Sequence, residues 1–385
     1  MANPRSADGS RRARFLLLAL ALSMSCGEPS ATEPSVTNRL VVKPFATTRS
    51  VFVQEPTLMT VPTYDGSGQS VHPDVVAFDQ PWHGARYWMT MTPYPQSNQT
   101  LENPSILTSD DGSAVSVPDG LRNPVVRAPR RSKDYNSDPE LLYDQTNDRL
   151  VLFYRLVANG RNTLHVSTSQ DGLTWSPART PLWEPSHRAV SPTIAPRYNA
   201  QSRMWYVNAG KAGCSAKATS VMTRRAMDPT GDVVDTHWNR PILTDLKIPG
   251  YVIWHIKARW VPEKSEYWML LSAFPEHGDG CHTDDLFFSR SSDGVHWTTY
   301  SEPIIRHGDQ DWTATAVYRS TFLYDAATDE LRLWISARGT DGAWRVGFAR
   351  ARFTAMMAAL ETGTGISPRL AVAQPFRVQG GTEAP

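Results

Sequence analysis

The amino-acid sequence predicts an all-β protein: a five-bladed β-propeller occupying residues 40–385 as a single domain. Three observations carry that expectation. Five similar units recur, with openings at residues 72, 138, 191, 255 and 318. Tight Asp-Gly turns follow the aromatic strands of several units. Almost nothing has the period of a long amphipathic helix; residues Thr354 to Leu360 are the one short candidate.

Each unit opens on an apolar segment after a proline or polar pair, turns at an acidic residue or asparagine, and continues into an aromatic strand. His72-Pro73-Asp74-Val75-Val76 leads to Tyr87-Trp88-Met89, and Asp138-Pro139-Glu140-Leu141-Leu142 leads to Leu152-Phe153-Tyr154. Ser191-Pro192-Thr193-Ile194 leads to Met204-Trp205-Tyr206, and His255-Ile256-Lys257-Ala258 leads to Tyr267-Trp268-Met269. Tyr318-Arg319-Ser320-Thr321 leads to Leu331-Arg332-Leu333-Trp334. The openings are 66, 53, 64 and 63 residues apart, enough for four short strands each. Residues Leu40 to Phe52 are expected to supply a strand that closes the ring with the last blade.

The turns share a pattern. Ser169-Gln170-Asp171-Gly172 precedes Trp175, and Ser291-Ser292-Asp293-Gly294 precedes Trp297; Ser109-Asp110-Asp111-Gly112 is a copy without its tryptophan. Asp-Gly supplies the positive φ of a tight hairpin, and serine and aspartate can cap the turn. The tryptophan is expected to pack between neighbouring sheets, a structural role.

The N-terminus reads as a targeting segment. Four arginines precede the apolar run Phe15 to Leu22 and the small residues Ser23-Met24-Ser25-Cys26. This describes a signal peptide over 1–25, too short to span a bilayer. Cys26 is the expected lipidation site of a membrane-anchored lipoprotein, and residues 26–39 a flexible tether. Ordinary secretion, with cleavage after Ser23-x-Ser25, is the alternative. Either way the protein is exported to the cell surface or periplasm, or secreted.

The formal net charge is +1, and four arginines against one acid in the first 25 residues leave a nearly neutral body. Nucleic acid is therefore not an expected partner. Thirteen tryptophans and thirteen tyrosines suit both sugar binding and β cores. Of three cysteines, Cys26 is assigned to lipid, which leaves Cys214 and Cys281. Both follow the aromatic strands of adjacent units, so their loops are neighbours in a propeller and a disulfide is expected, with two free thiols as the alternative.

The Ser-x-Asp-Gly-x-x-Trp pattern and the opening Asp138-Pro139 resemble the five-bladed propeller superfamily of glycoside hydrolase family 43 and invertases, and more loosely the sialidase-type Asp-box proteins. The resemblance spans about Val71 to Arg352. It implies a carbohydrate ligand and three carboxylates: a blade-one aspartate before proline as base, a second-blade aspartate before proline, and a third-blade glutamate as acid. Asp138 matches the second. His72 occupies the first position, with Asp74 two residues on, and Val190-Ser191-Pro192 lacks the glutamate.

Glu102, which opens another strand of unit one after the loop carrying Tyr94, is a replacement candidate. The candidate catalytic groups are thus Asp138, Glu102 and Asp74. Glu102 can instead bond backbone or an arginine, and Asp74 can cap its strand. The remaining inner-strand openings, His72, Ser191, His255, Lys257 and Arg319, together with Tyr94, Arg155 and Arg338, form a candidate substrate-binding set. The cations can bind an acidic group or neutralise Asp138 and Glu140 in a buried network. His72 and His255 can serve as acid–base groups or metal ligands. No His-x-x-x-His spacing or tight His/Asp cluster supports a metal, and no cofactor is expected. The run His277 to Asp285 can hold calcium or be a disulfide-pinned loop.

Two function classes follow. The leading one is a glycan-processing enzyme of glycoside hydrolase type, using carboxylate acid/base chemistry in the propeller funnel. The alternative is a non-catalytic propeller that binds glycan or protein.

Overall fold

The computed structural model describes residues 51–185, 189–197, 200–210, 213–227, 232–363 and 366. The chain divides into two units, 1–48 and 49–385, and all described residues belong to the second. The signal and tether segments, Cys26 and nearly all of the expected closing strand 40–52 lie outside the described residues.

Among the described residues, twenty strands form five antiparallel sheets. The first strand, β1 (Phe52–Leu58), precedes β2 (Ser70–Trp82), β3 (Ala85–Pro93) and β4 (Ser105–Ser109), which form blade 1. Strands β5 (Tyr135–Asp144), β6 (Arg149–Ala158), β7 (Arg161–Ser169) and β8 (Arg179–Pro185) form blade 2. Blade 3 contains β9 (Val190–Ala195), β10 (Arg203–Asn208), β11 (Ser220–Arg225) and β12 (Ile242–Leu243). Blade 4 contains β13 (Tyr251–Val261), β14 (Glu266–Pro275), β15 (Asp285–Ser291) and β16 (Thr298–Thr299). Blade 5 contains β17 (Ala316–Val317), β18 (Thr321–Asp325), β19 (Glu330–Arg338) and β20 (Trp344–Arg352), and its outermost strand is β1. The ring therefore closes by backbone pairing of both ends of the domain, Phe52 with Ala351 and Leu58 with Gly347. An α-helix, α1 (Phe353–Thr362), follows; it covers the 354–360 stretch and buries Phe353, Met356, Met357 and Leu360.

Blade 1 departs from the four-strand pattern. Its fourth strand is reduced to one bridge, Thr108 to Ser116. The Asn123 side chain takes over part of the pairing: Oδ1 accepts from Ile106 N at 2.9 Å and Nδ2 donates to Ile106 O at 2.8 Å. A side-chain amide has the same donor and acceptor as a peptide group, so the edge of β4 stays satisfied without a strand.

The Asp-Gly turns pack the blades together: the motif tryptophans lie against the preceding blade as expected, Trp297 5.9 Å from Trp205 and Trp175 on the cluster of Trp82 and Trp88, and the turn glycines meet a second set. In each turn the aspartate accepts two backbone N–H bonds, as Asp171 does from Leu173 at 2.8 Å and Thr174 at 2.7 Å. These bonds hold the Asp171 carboxyl down to about 2. Its stabilising contribution is thus present above the ordinary value of 3.8 and lost as pH falls toward 2. The glycines then abut fully buried tryptophans on the second strand of the preceding blade. Gly112 O accepts from Trp334 Nε1 at 2.7 Å, Gly294 O accepts from Trp205 Nε1 at 2.8 Å, and Gly172 packs on Trp88. Trp175 and Trp297, one turn later, are only half-buried. The tight blade contact needs a residue without a side chain facing an indole, and the turn glycine meets that need.

A methyl group at Gly172 would sit 2.1 Å from the Trp88 ring, at φ +73°. Gly172→Ala is expected to cost about 2–5 kcal/mol from overpacking plus the left-handed backbone. Gly160, also at positive φ but with nothing within 4 Å, is the control: Gly160→Ala is expected to cost about 1–2 kcal/mol. Chemical denaturation of the two variants checks this, and equal losses would remove the steric argument.

Candidate functional site

The innermost strands β2, β5, β9 and β13 converge on the axis, and side chains two residues apart on each point the same way. Two tiers result. The first holds His72, Asp138, Ser191 and His255; the second holds Asp74, Glu140, Thr193 and Lys257. All eight are buried.

A local backbone device aims the first tier. His72, Asp138 and Ser191 each precede a proline and each adopt left-handed φ, at 56°, 49° and 53°. At each, two residues oppose one on the neighbouring strand, so a β-bulge interrupts the register. Left-handed non-glycine residues cost about 1–3 kcal/mol each and cluster where a site demands them. Three equivalent ones surround one axis. In blade 5 the inner strand is broken between β17 and β18, and Tyr318 enters the first tier. Its ring lies 5.3 Å from that of His72 and 4.1 Å from that of His255.

The second tier is a closed ionic network. Lys257 Nζ donates to Asp74 Oδ2 at 2.8 Å and Glu140 Oε1 at 2.7 Å. Arg319 Nη2 donates to Glu140 Oε2 at 2.7 Å, and Arg259 Nη2 to Asp74 Oδ1 at 2.8 Å. Thr321 Oγ1, Thr193 Oγ1 and the backbone N–H groups of Leu141 and Ile194 complete the two carboxylates. Burial alone would push the Asp74 carboxyl up, but Lys257 and Arg259 hold it below the ordinary range. Asp74, Lys257 and Arg319 are therefore engaged with one another beneath the site. Of the two roles open to the cations, Lys257 and Arg319 take the neutralising one, toward Asp74 and Glu140.

The first tier is, by contrast, incomplete. Asp138 Oδ2 accepts from Ser191 N at 2.9 Å and lies 2.8 Å from Arg155 Nε, a contact whose angle is too poor for a hydrogen bond. Asp138 Oδ1 has no hydrogen-bond partner, and neither do His72 Nε2 or either nitrogen of His255. Oδ1 lies 3.3 Å from His72 Nε2 and 3.7 Å from His255 Nδ1. Burial drives the His72 imidazole down to about 3 and that of His255 well below its ordinary value, so both are neutral at physiological pH. Burial opposes ionisation of Asp138, yet Arg155, His72, His255 and Arg319 together hold its carboxyl below the ordinary range.

One ligand atom from each of His72, Asp138 and His255 fits within 4.8 Å of the others. Two neutral imidazoles and one ionised carboxylate with orphaned, converging lone pairs fit a divalent transition metal. The partners behind them fit too: the His72 Nδ1–Thr92 Oγ1 contact at 3.1 Å orients the ring, and Arg155 and Ser191 orient Asp138. Sequence spacing argued against a metal because the three residues come from three blades, and no short motif could connect them.

Glu102 lies beside this triad, with Oε1 3.9 Å from His72 Nδ1. Burial, then the Asp138 charge, push its carboxyl well above the ordinary range, toward the protonated form. An aromatic wall completes the surroundings. Tyr94 is 5.5 Å from Trp344, whose ring is also 4.8 Å from Tyr318 and 5.8 Å from the Arg338 guanidinium. Arg338 pairs with His282. That residue follows Cys281, which is disulfide-bonded to Cys214 with Cα atoms 5.6 Å apart. Tyr318 and Thr92 escaped sequence reasoning. Tyr318 opens the fifth unit, but its part in the first tier is visible only once the break in the inner strand is known.

The fold and axial site define a class, the five-bladed propellers related in structure to carbohydrate-active enzymes. A thermostable family-43 glycoside hydrolase superposes with a TM-score of 0.51 at 13% identity, covering 73% of this chain and 89% of its own. The α-L-arabinofuranosidase of Podospora anserina in complex with cellotriose gives 0.54 at 13%, covering 78% and 98%. At such identities the likeness is one of fold.

A nearer likeness is to an N-acetylgalactosamine deacetylase from F. plautii, solved in complex with blood group B trisaccharide: TM-score 0.72, 25% identity, 81% of this chain and 98% of that one. In sequence the chain is 25% identical over 361 residues to the A type blood N-acetyl-α-D-galactosamine deacetylase of Flavonifractor plautii, covering 76% of this chain and 46% of that protein. The chain thus spans about half the length of that relative. No protein-family model matches the chain.

Proposed function

We propose that the protein is a glycan-processing enzyme that hydrolyses the N-acetyl group of an amino sugar at the axial site. The observation that carries this reading is the first tier: two neutral histidines and one ionised aspartate with converging, unpartnered ligand atoms, beside a buried carboxyl whose surroundings favour its protonated form. The likeness to a deacetylase supports the same chemistry.

Amide hydrolysis adds water oxygen to the acetyl carbon, breaks the C–N bond, and gives acetate and a free amine. His72, Asp138 and His255 would hold a divalent cation, which would supply Lewis acidity and acidify water. Glu102 is placed to give its proton to the departing nitrogen, and Asp138 cannot, because Arg155 holds it ionised. Tyr94, half-buried beside the site and backed by Trp344, offers a face against which a sugar ring stacks. Glycosidic cleavage by opposed carboxylates is disfavoured here. Asp74 is closed within the second tier, and the His72 ring stands between Asp138 at Nε2 and Glu102 at Nδ1.

The test is product analysis on N-acetylated glycosides and polysaccharides, with free acetate and new reducing ends measured together. Acetate without new reducing ends supports the reading. New reducing ends without acetate would return the protein to glycosidase chemistry, and binding with neither product to a non-catalytic propeller.

The reading includes export and a lipid anchor at Cys26, supported by the arginine-led apolar run before it. Cys26→Ser is expected to move the protein from the detergent-released membrane fraction to the soluble one; an unchanged distribution rejects the anchor.

A further inference from the structure

Blade 1 replaces its fourth strand by a loop, and the chain freed in this way, Leu121–Asp134, runs beside the axial site. Val125 N donates to Pro104 O at 2.9 Å. Asn136 Nδ2 donates to Arg127 O at 3.2 Å and to Asn103 Oδ1 at 2.8 Å. Asn103 follows Glu102 directly, and Asn136 lies two residues before Asp138, so the segment is pinned to the two strand starts that carry the site. Asn159 N donates to Asp134 Oδ1 at 3.2 Å and secures its far end.

Five cations stand on this segment: Arg122, Arg127, Arg130, Arg131 and Lys133, with Asp134 as the single acid. All five are exposed. Among the described residues, Arg122, Arg127, Arg130 and Lys133 make no ion pair. An ordinary solvated face mixes both signs, and the chain as a whole is nearly neutral. Here one sign is gathered on a segment pinned to the strand starts of a buried site.

We propose that this segment is a binding subsite for acidic polysaccharide, gripping carboxylated or sulfated sugars that neighbour the N-acetylated residue in the axial site. The inference rests on the amide-hydrolase reading for the identity of that residue. Guanidinium forks match the paired oxygens of a carboxylate or sulfate, and a one-signed rim concentrates a polyanion near the mouth. A neutral glycan offers these side chains nothing that water does not.

The test measures dissociation constants of the full chain for chondroitin, in which glucuronate alternates with N-acetylgalactosamine, and for its carboxyl-reduced, neutral form. Chondroitin sulfate forms a third arm, separating sulfate from carboxylate recognition. At low salt the acidic polymers are expected to bind about tenfold tighter or more than the neutral one, with the advantage shrinking as salt rises. The variant Arg127→Glu/Arg130→Glu/Lys133→Glu is expected to lose that advantage, while Arg127→Lys/Arg130→Lys retains most of it. Equal affinities for acidic and neutral polymers overturn the proposal, as does a preference that survives charge reversal. Binding to anionic phospholipid vesicles with none to chondroitin overturns it in favour of a membrane contact. Acetate release is scored separately: a charge-dependent preference without acetate keeps the subsite and rejects the hydrolase reading, and acetate released with no preference does the reverse.

Discussion

His255→Ala is expected to lower acetate release by about a thousandfold or more while leaving the fold intact. His255 contributes two unpartnered nitrogens in a buried position, and its ring is held between Tyr318 and Trp254. Removing it leaves His72 Nε2 and Asp138 Oδ1 as two ligand atoms where three converged. The loss of Lewis acidity accounts for several kcal/mol of barrier, at about 1.4 kcal/mol per factor of ten. Because the imidazole makes no hydrogen bond, its loss costs cavity energy only.

Two companions grade the claim. Glu102→Gln keeps the shape and removes the proton donor, with an expected loss of about 10²–10⁴-fold. Thr92→Ala frees the back of His72, with an expected loss of about 10–100-fold. A strong chelator should abolish activity in the unmodified protein, and added divalent cation should restore it. Rates in His255→Ala within tenfold of the parent, measured with folding confirmed by circular dichroism, would remove the triad from the reaction.

Glu140→Leu is expected to be the most damaging substitution for stability, at about 3–5 kcal/mol, or a Tm lower by about 10 °C. Glu140 accepts from Lys257 Nζ, Arg319 Nη2, Thr193 Oγ1 and Ile194 N, all buried. Leucine fills a similar volume but leaves Lys257, Arg259 and Arg319 facing Asp74 as the remaining acid of the network. A buried cation without its counter-charge costs far more than an intact buried pair contributes. Glu140→Gln retains an acceptor and is expected to cost less. Urea or thermal unfolding of both variants checks the order. Near-parental stability in Glu140→Leu would mean that Lys257 sheds its proton when the carboxylate goes, a direction in which burial already pushes it.

The two tiers also bear on how the site works. The second tier holds both of its carboxylates in complete sets of hydrogen bonds, so it forms a rigid floor; the first is built on strained bulges and unpartnered atoms. Natural sites commonly combine the two, because a strained, polar constellation keeps its geometry only on a scaffold that over-determines it.

Much of this protein was legible in its residues alone. The five openings from His72 to Tyr318, spaced by 53 to 66 residues, and the Asp-Gly turns define repeated antiparallel sheets, because strand period and turn chemistry are local properties of the chain. Cys214 and Cys281 could be paired for the same reason: equivalent loops of adjacent units are neighbours in any ring. The polar strand openings could be expected to converge, since the innermost strands line the axis. What each then does could not be read locally. His72, Asp138 and His255 become one donor set, while Asp74, Glu140, Lys257 and Arg319 become a closed network, although each set is scattered over a large part of the chain. The difference is one step of two residues along a strand and one bulge before a proline. Such a step leaves no mark on composition or motif, and only the closed ring decides which lone pairs meet a partner and which are left for a ligand.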